Sequence, residues 1–140
     1  MTAVVDASVA VKWFVDEPGC PAACEILASG TTCVAPDLVL VESSNTAWKK
    51  VKRGEMTQAQ GEAMVQTLPL YFDRLVPTGA LLVRAYALAH RLDHPVYDCL
   101  YLALAEQEAV SLITDDQRLL KAVSRTELRK RVRPLVNDAR

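Results

Sequence analysis

Short runs rich in β-branched residues alternate along this chain with longer stretches in which apolar residues recur every three or four positions. No other feature restricts the fold as much, because strand and amphipathic helix in repeated succession pack as units around a mostly parallel sheet. The predicted class is α/β. AVVD opens as a strand and ASVAVKWFVDE as a helix, which EPG stops by joining a helix-breaking proline to a flexible glycine. A second helix is predicted over CPAACEILAS and a strand over TTCVAP, after which Pro36 and Asp37 start a helix from Leu38 to Arg53. MTQAQGEAMVQTLP reads as a helix capped by Thr57 and ending near Pro69. YFDRLVP is a candidate strand, GALLVRAYALAHRL a core-facing helix, and DHP breaks the chain. From Asp98 the run DCLYLALAEQEA is apolar on nearly every side in its first two turns, the pattern of a central buried helix. SLIT follows as a strand, DQRLLKAVSR as a short helix and VRPLV as a last edge strand, where proline is tolerated.

With 140 residues, 51% of them hydrophobic, the chain suits a single domain over 1–140 with a substantial core. A net charge of -1 argues against a generally basic coat for nucleic acid and leaves local patches open. Cys20, Cys24, Cys33 and Cys99 lack the paired spacing of a zinc site, and no signal peptide is recognisable, so they are expected to be reduced, mostly buried thiols of a cytosolic protein. Cys20 and Cys24 share a helical face open to a soft metal, although small buried hydrophobes are the commoner role. No apolar run is long enough without a charge to span a bilayer.

Acids stand at the junctions of this map. Asp6 follows the first strand, Asp98 starts the buried helix, and Asp115 and Asp116 follow SLIT. Each has an ordinary explanation as a helix cap or turn residue. Glu42 differs, because it lies within a helix beside an apolar stripe read as Leu38, Val41 and Trp48, with Asn45 on its own face. A carboxylate there is costly unless it meets a cation or a polar cleft. Taken together, acids at strand ends and on adjacent helices converge on the carboxyl edge of a parallel sheet, where such folds bind ligands. Clustered carboxylates raise one another's pKa, and a divalent ion of the magnesium or manganese type, with hard oxygen ligands, resolves the conflict. Such a site can activate water and neutralise a leaving oxygen on a phosphodiester, which is nuclease chemistry.

Four segments then carry a resemblance. VVDASVAVKWF, APDLVLVESSN, YDCLYLALA and LITDDQRL resemble, in order and spacing, the motifs of the PIN-domain ribonucleases, most closely the VapC toxins of toxin–antitoxin pairs. The resemblance covers nearly the whole chain and implies a three-layer α/β/α sandwich. It also implies an acidic quartet of Asp6, Glu42, Asp98 and Asp116, with Asp6, Asp98 and Asp116 as metal ligands and Asp6 and Asp98 the foremost. Ser8, Thr114 and Asn45 match supporting positions: a hydroxyl near the metal, a hydroxyl for water or phosphate, and an amide that orients Glu42. Asp115 and Asp116 compete for the fourth acidic place, and spacing from Thr114 favours Asp116. The implied activity is that of a metal-dependent endoribonuclease using Mg2+, with Mn2+ as the other candidate, and one or two ions bound. A homodimer and a VapB-type antitoxin that obstructs the cleft are the implied partners, and a structured RNA the implied substrate.

Other features carry less. KKVKR at 49–53 and RTELRKRVR at 125–133 offer phosphate contacts, although for each run alone the solvated face of a helix is the commoner explanation. Trp13, Phe14 and Trp48 read as core or interface residues before stacking platforms, and His90 and His94 as surface histidines outside every motif. The rival reading is a catalytically inactive module that uses the same cleft to bind RNA or protein. A phosphoryl-transfer domain with an aspartate two residues after the first is disfavoured, because Ser8 holds that place. A receiver-like domain is disfavoured because the adjacent acidic pair comes late, at Asp115 and Asp116.

Overall fold

The computed structural model describes residues 1–136, so residues 137–140 of the expected domain lie outside the described residues. Five strands form one sheet: β1 (Thr2–Val5), β2 (Thr32–Pro36), β3 (Arg74–Val76), β4 (Ser111–Thr114) and β5 (Val132–Pro134). Their order is β3-β2-β1-β4-β5 and every pairing is parallel, with Val4 opposite Val34 on one side and Leu112 on the other. Ala3, Val4 and Val5 are all buried, as are Leu112, Ile113 and Thr114. Consecutive strand residues point to opposite faces, so both faces are covered and the layers are α/β/α. The chain runs outward from β1 through β2 to β3 and then returns to place β4 beside β1. That reversal opens a crevice beyond the carboxyl ends of β1 and β4, the ligand position of open parallel sheets.

Helix α6 (Val96–Glu108) lies against β1, β2 and β4, and α5 (Leu82–Leu92) packs on it. Cys99 through Ala105 are buried without interruption, as a helix enclosed by sheet and neighbour requires. Burying each of Leu100, Leu102 and Leu104 contributes about 2 kcal/mol. The helix starts at Val96, two residues before the start expected from Asp98, because Pro95 leads into it with a pre-set φ. Tyr97 is exposed.

Three other expectations change. The helix after β1 is short: α1 (Ala7–Ala10) tightens into a 3-10 turn over Val11–Trp13 and then ends. Tertiary anchoring stops it, since the Trp13 indole N–H donates to the Ala23 carbonyl at 2.8 Å and its ring packs 5.5 Å from Phe72. Helix α3 (Leu38–Lys52) buries Val39, Ser43 and Ala47, not the expected stripe, and leaves Val41 and Trp48 exposed. Lys52 sits 5.1 Å over the Trp48 ring, so Trp48 is a surface residue. Of the thiols only Cys33 and Cys99 are buried; Cys20 and Cys24 face each other at 3.8 Å on the surface of α2 (Cys20–Ala28). Helix α4 (Gln58–Thr67) opens on a reciprocal capping box between Thr57 and Gln60, and α7 (Gln117–Val123) precedes β5. Among the described residues no helix is long and apolar enough to cross a membrane.

Candidate active site

Where β1 ends, Asp6 caps α1, and its Oδ1 accepts from the Val9 backbone N–H at 3.3 Å and from the Ser8 hydroxyl at 2.6 Å. Its Oδ2 accepts from the Thr114 hydroxyl, at the end of β4. The two hydroxyls are in turn acceptors: Asp115 N–H donates to Ser8 Oγ at 2.9 Å and Asp116 N–H to Thr114 Oγ1 at 3.0 Å. Ser8 and Thr114 therefore stitch the turn after β4 to the carboxylate after β1. Capping and site membership are compatible for Asp6. Burial pushes its pKa up to about 7, against the lowering pull of Ser8, Thr114 and the Val9 amide, and the nearby charge of Asp98 adds to the rise.

Glu42 faces the same crevice from α3. The Tyr101 hydroxyl on α6 donates to its Oε1 at 2.6 Å. Burial, then the Asp98 and Asp116 charges, raise the Glu42 pKa, while the Tyr101 bond lowers it. Tyr101 is buried, and burial together with the Glu42 charge holds its phenol well above the ordinary value, so it stays a donor. Sequence reasoning missed Tyr101, although its place three residues after Asp98 puts both on one helix face. Asn45 lines the cleft, but among the described residues no hydrogen bond joins it to Glu42. The hydrogen bond observed on Glu42 comes from Tyr101.

Asp98 lies in the first turn of α6, and its Oδ2 shares a 2.6 Å hydrogen bond with His94 Nε2. His94 is no surface histidine: its side chain is 6% exposed. Asp116 caps α7, accepting from Arg118 N–H at 2.9 Å and Leu119 N–H at 3.3 Å. One ligand atom from each of His94, Asp98 and Asp116 lies within 4.8 Å of the others. Asp6 falls outside that group, with both oxygens already engaged by hydroxyls. Asp115 also lines the cleft, and its carboxylate lies 3.4 Å from Lys12 Nζ. The structure thus separates the two adjacent acids, with Asp116 beside Asp98.

Basic residues share the cleft with the acids. Lys12 is buried and donates to Glu17 Oε1 at 3.2 Å and to the Pro18 carbonyl at 2.8 Å, and Glu17 Oε2 takes Lys50 at 2.8 Å. Burial works to raise the Glu17 pKa, but the bonds from Lys50 and Lys12 outweigh it and hold the carboxyl low. The cleft measures about 480 Å³ and is lined by Asp6, Glu42, Asp98, Asp115 and Asp116 together with Lys12, Lys49 and Lys50. From the two basic runs, Lys49 and Lys50 reach it, whereas none of residues 125–133 does.

The donor set fits a divalent cation. Burial raises the Asp98 pKa and the Asp116 charge raises it further, despite the opposing His94 bond, so the pair gains from a positive charge between them. The PIN-domain family profile matches residues 3–125. This chain is a PIN domain. Ribonuclease VapC3 of Pyrobaculum aerophilum is 31% identical over 121 residues, 85% of this chain and 92% of the relative, which puts this PIN domain in the VapC group. Ribonuclease VapC1 of Mycobacterium tuberculosis is 33% identical over 88 residues, 63% of this chain and 65% of its own. In three dimensions the PIN domain is similar to PAE2754 from Pyrobaculum aerophilum, with a TM-score of 0.69 at 20% identity over 96% of this chain and 90% of that one. It is also similar to a chain of VapBC2 from Rickettsia felis, solved bound to a DNA fragment from their promoter, with a TM-score of 0.65 at 14% identity over 96% and 98%. Those two likenesses confirm the α/β/α fold.

Proposed function

We propose that this PIN domain is a metal-dependent endoribonuclease that hydrolyses RNA phosphodiester bonds as the toxin of a type II toxin–antitoxin pair. The observation that carries the reading is the convergence of Asp6, Glu42, Asp98 and Asp116 on one cleft, in a chain 31% identical to a named ribonuclease. Asp98 and Asp116 hold the cation, with Asp6 behind them as the buried acid that fixes the turn after β4. A divalent ion of the Mg2+ or Mn2+ class supplies water activation and charge neutralisation when bound. Tyr101 keeps Glu42 aimed at the cleft, where its carboxylate orients water. Lys49, which lines the cleft, meets phosphates that flank the scissile one, and Lys12 and Lys50 are held in place beside it through Glu17.

The reading extends to a VapB-type antitoxin that covers the acidic cleft and to a homodimer in the cytosol. Exposed Val83 and Tyr86 on α5 leave apolar surface available to a second copy. The test is cleavage of total cellular RNA by the purified, antitoxin-free protein with Mg2+, Mn2+ or chelator, beside Asp98→Asn. Metal-dependent cutting that disappears in the variant supports the reading. Metal binding without cutting of any RNA in the pool favours an inactive binding module.

A further inference from the structure

Next to the cleft carboxylate of Asp98, His94 belongs to none of the four sequence motifs, and its position is fixed by several contacts. At Asp93 the backbone turns left-handed (φ 50) to leave α5, and His94 N–H returns to the Ala89 carbonyl at 3.1 Å. The His94 carbonyl accepts the Cys99 thiol at 3.9 Å, and Pro95 then leads into α6. A non-glycine residue at positive φ is uncommon and costs of order 1 kcal/mol, so the turn that aims His94 is maintained against strain. Its ring is buried, meets Asp98 at 2.6 Å, and stands within 4.8 Å of an Asp116 oxygen. Ligand atoms about 2.1 Å from a shared ion lie about 3 to 4 Å apart, so small side-chain rotations bring all three into range.

We propose that His94 is a direct metal ligand through its ring nitrogen, which makes this a mixed nitrogen–oxygen site that prefers Mn2+ to Mg2+. The proposal rests on the metal-dependent reading above and sharpens it. Magnesium takes oxygen donors and parts with water reluctantly, whereas imidazole favours first-row transition ions. Two carboxylates with a histidine therefore select differently from carboxylates alone. His94 still bonds Asp98 when no ion is present, and so preserves the geometry of the ligand pair.

The chain has two histidines, which makes the assignment direct. Tag-free, full-length protein is loaded with Mn2+ and examined by pulsed electron paramagnetic resonance for coupling to a ring nitrogen, beside His94→Gln and His90→Gln. His90 is exposed, its ring meets that of Tyr86 edge-on with centroids 4.6 Å apart, and it is not in the His94, Asp98 and Asp116 group. Nitrogen coupling is expected in the wild type and in His90→Gln and absent in His94→Gln. Calorimetry should show His94→Gln lowering Mn2+ affinity by about tenfold or more, with a smaller loss for Mg2+. Bound Mn2+ without nitrogen coupling in the wild type overturns the proposal and leaves the metal-dependent reading intact. No Mn2+ binding by the folded wild type overturns both. The wild-type spectrum decides the matter even if His94→Gln fails to fold.

Discussion

Asp6 is the residue at which folding and chemistry conflict. A pKa raised to about 7 means that the folded metal-free protein keeps a proton on Asp6 that the unfolded chain, near 3.8, has released. Between those values the native state binds the extra proton, so the Asp6 contribution to stability is complete below about pH 4 and lost as pH rises through about 7. Asp6→Asn cannot ionise. It is therefore expected to be more stable than wild type at pH 8 by on the order of 4 kcal/mol at most, an advantage that falls to less than about 2 kcal/mol at pH 5 and is gone below about pH 4. Urea denaturation at the two pH values in chelator checks this, and equal differences at both would show that Asp6 is not the group titrating. Under the proposed function the same variant loses RNA cleavage while remaining folded. Tyr101→Phe removes the one hydroxyl that donates to Glu42 and should cost about 1.5 to 3 kcal/mol by the same denaturation assay.

Helices divide between those that build the core and those that end at the surface, and substitutions should follow that division. Leu102 is fully buried on α6, and Leu102→Ala is expected to cost about 2 to 5 kcal/mol in chemical denaturation. Tyr97, exposed on the same helix, should tolerate alanine within about 0.5 kcal/mol. Helix α4 packs Met64 into a core cluster with Ala47 of α3, and its start is fixed separately, because Thr57 and Gln60 satisfy each other's backbone N–H groups. Thr57→Ala should therefore cost about 1 kcal/mol, and a change below a few tenths would show that α4 packing carries the element alone.

Across the molecule, the cleft joins residues from four separate stretches of chain, and a cation that binds only there links them. Mn2+ or Mg2+ is expected to raise the melting temperature of the wild type, by an amount set by mass action, about 2.7 kcal/mol at a hundredfold excess over Kd. Asp116→Asn should abolish most of that shift and leave the metal-free melting temperature near the wild-type value. A full shift retained in Asp116→Asn, measured by scanning calorimetry, would move the ion away from the Asp98–Asp116 pair. The neighbouring lysines separate two effects, since Lys49→Ala should weaken RNA binding and make it less dependent on salt while the metal-induced shift persists.

Local chemistry was readable wherever one residue type has few structural uses. The alternation of strand and helix patterns, the proline and glycine stops, the Thr57 cap and the enclosed helix around Leu102 could all be recognised from the chain alone. So could acids at strand ends, because the carboxyl edge of a parallel sheet follows from the class. What the chain alone did not reveal is rotation and reach. Val41 and Trp48 were read as a buried stripe, but α3 docks through Val39, Ser43 and Ala47, and a turn of the helix by one position cannot be inferred without its partner. Trp13 ends a helix early by bonding a carbonyl ten residues away. His94 and Tyr101 looked like background because their partners, Asp98 and Glu42, give them meaning only when α5, α6 and α3 meet. Composition and periodicity determined the class and the candidate acids; tertiary packing decided which groups share a cleft, because distance between side chains is a property of the folded chain.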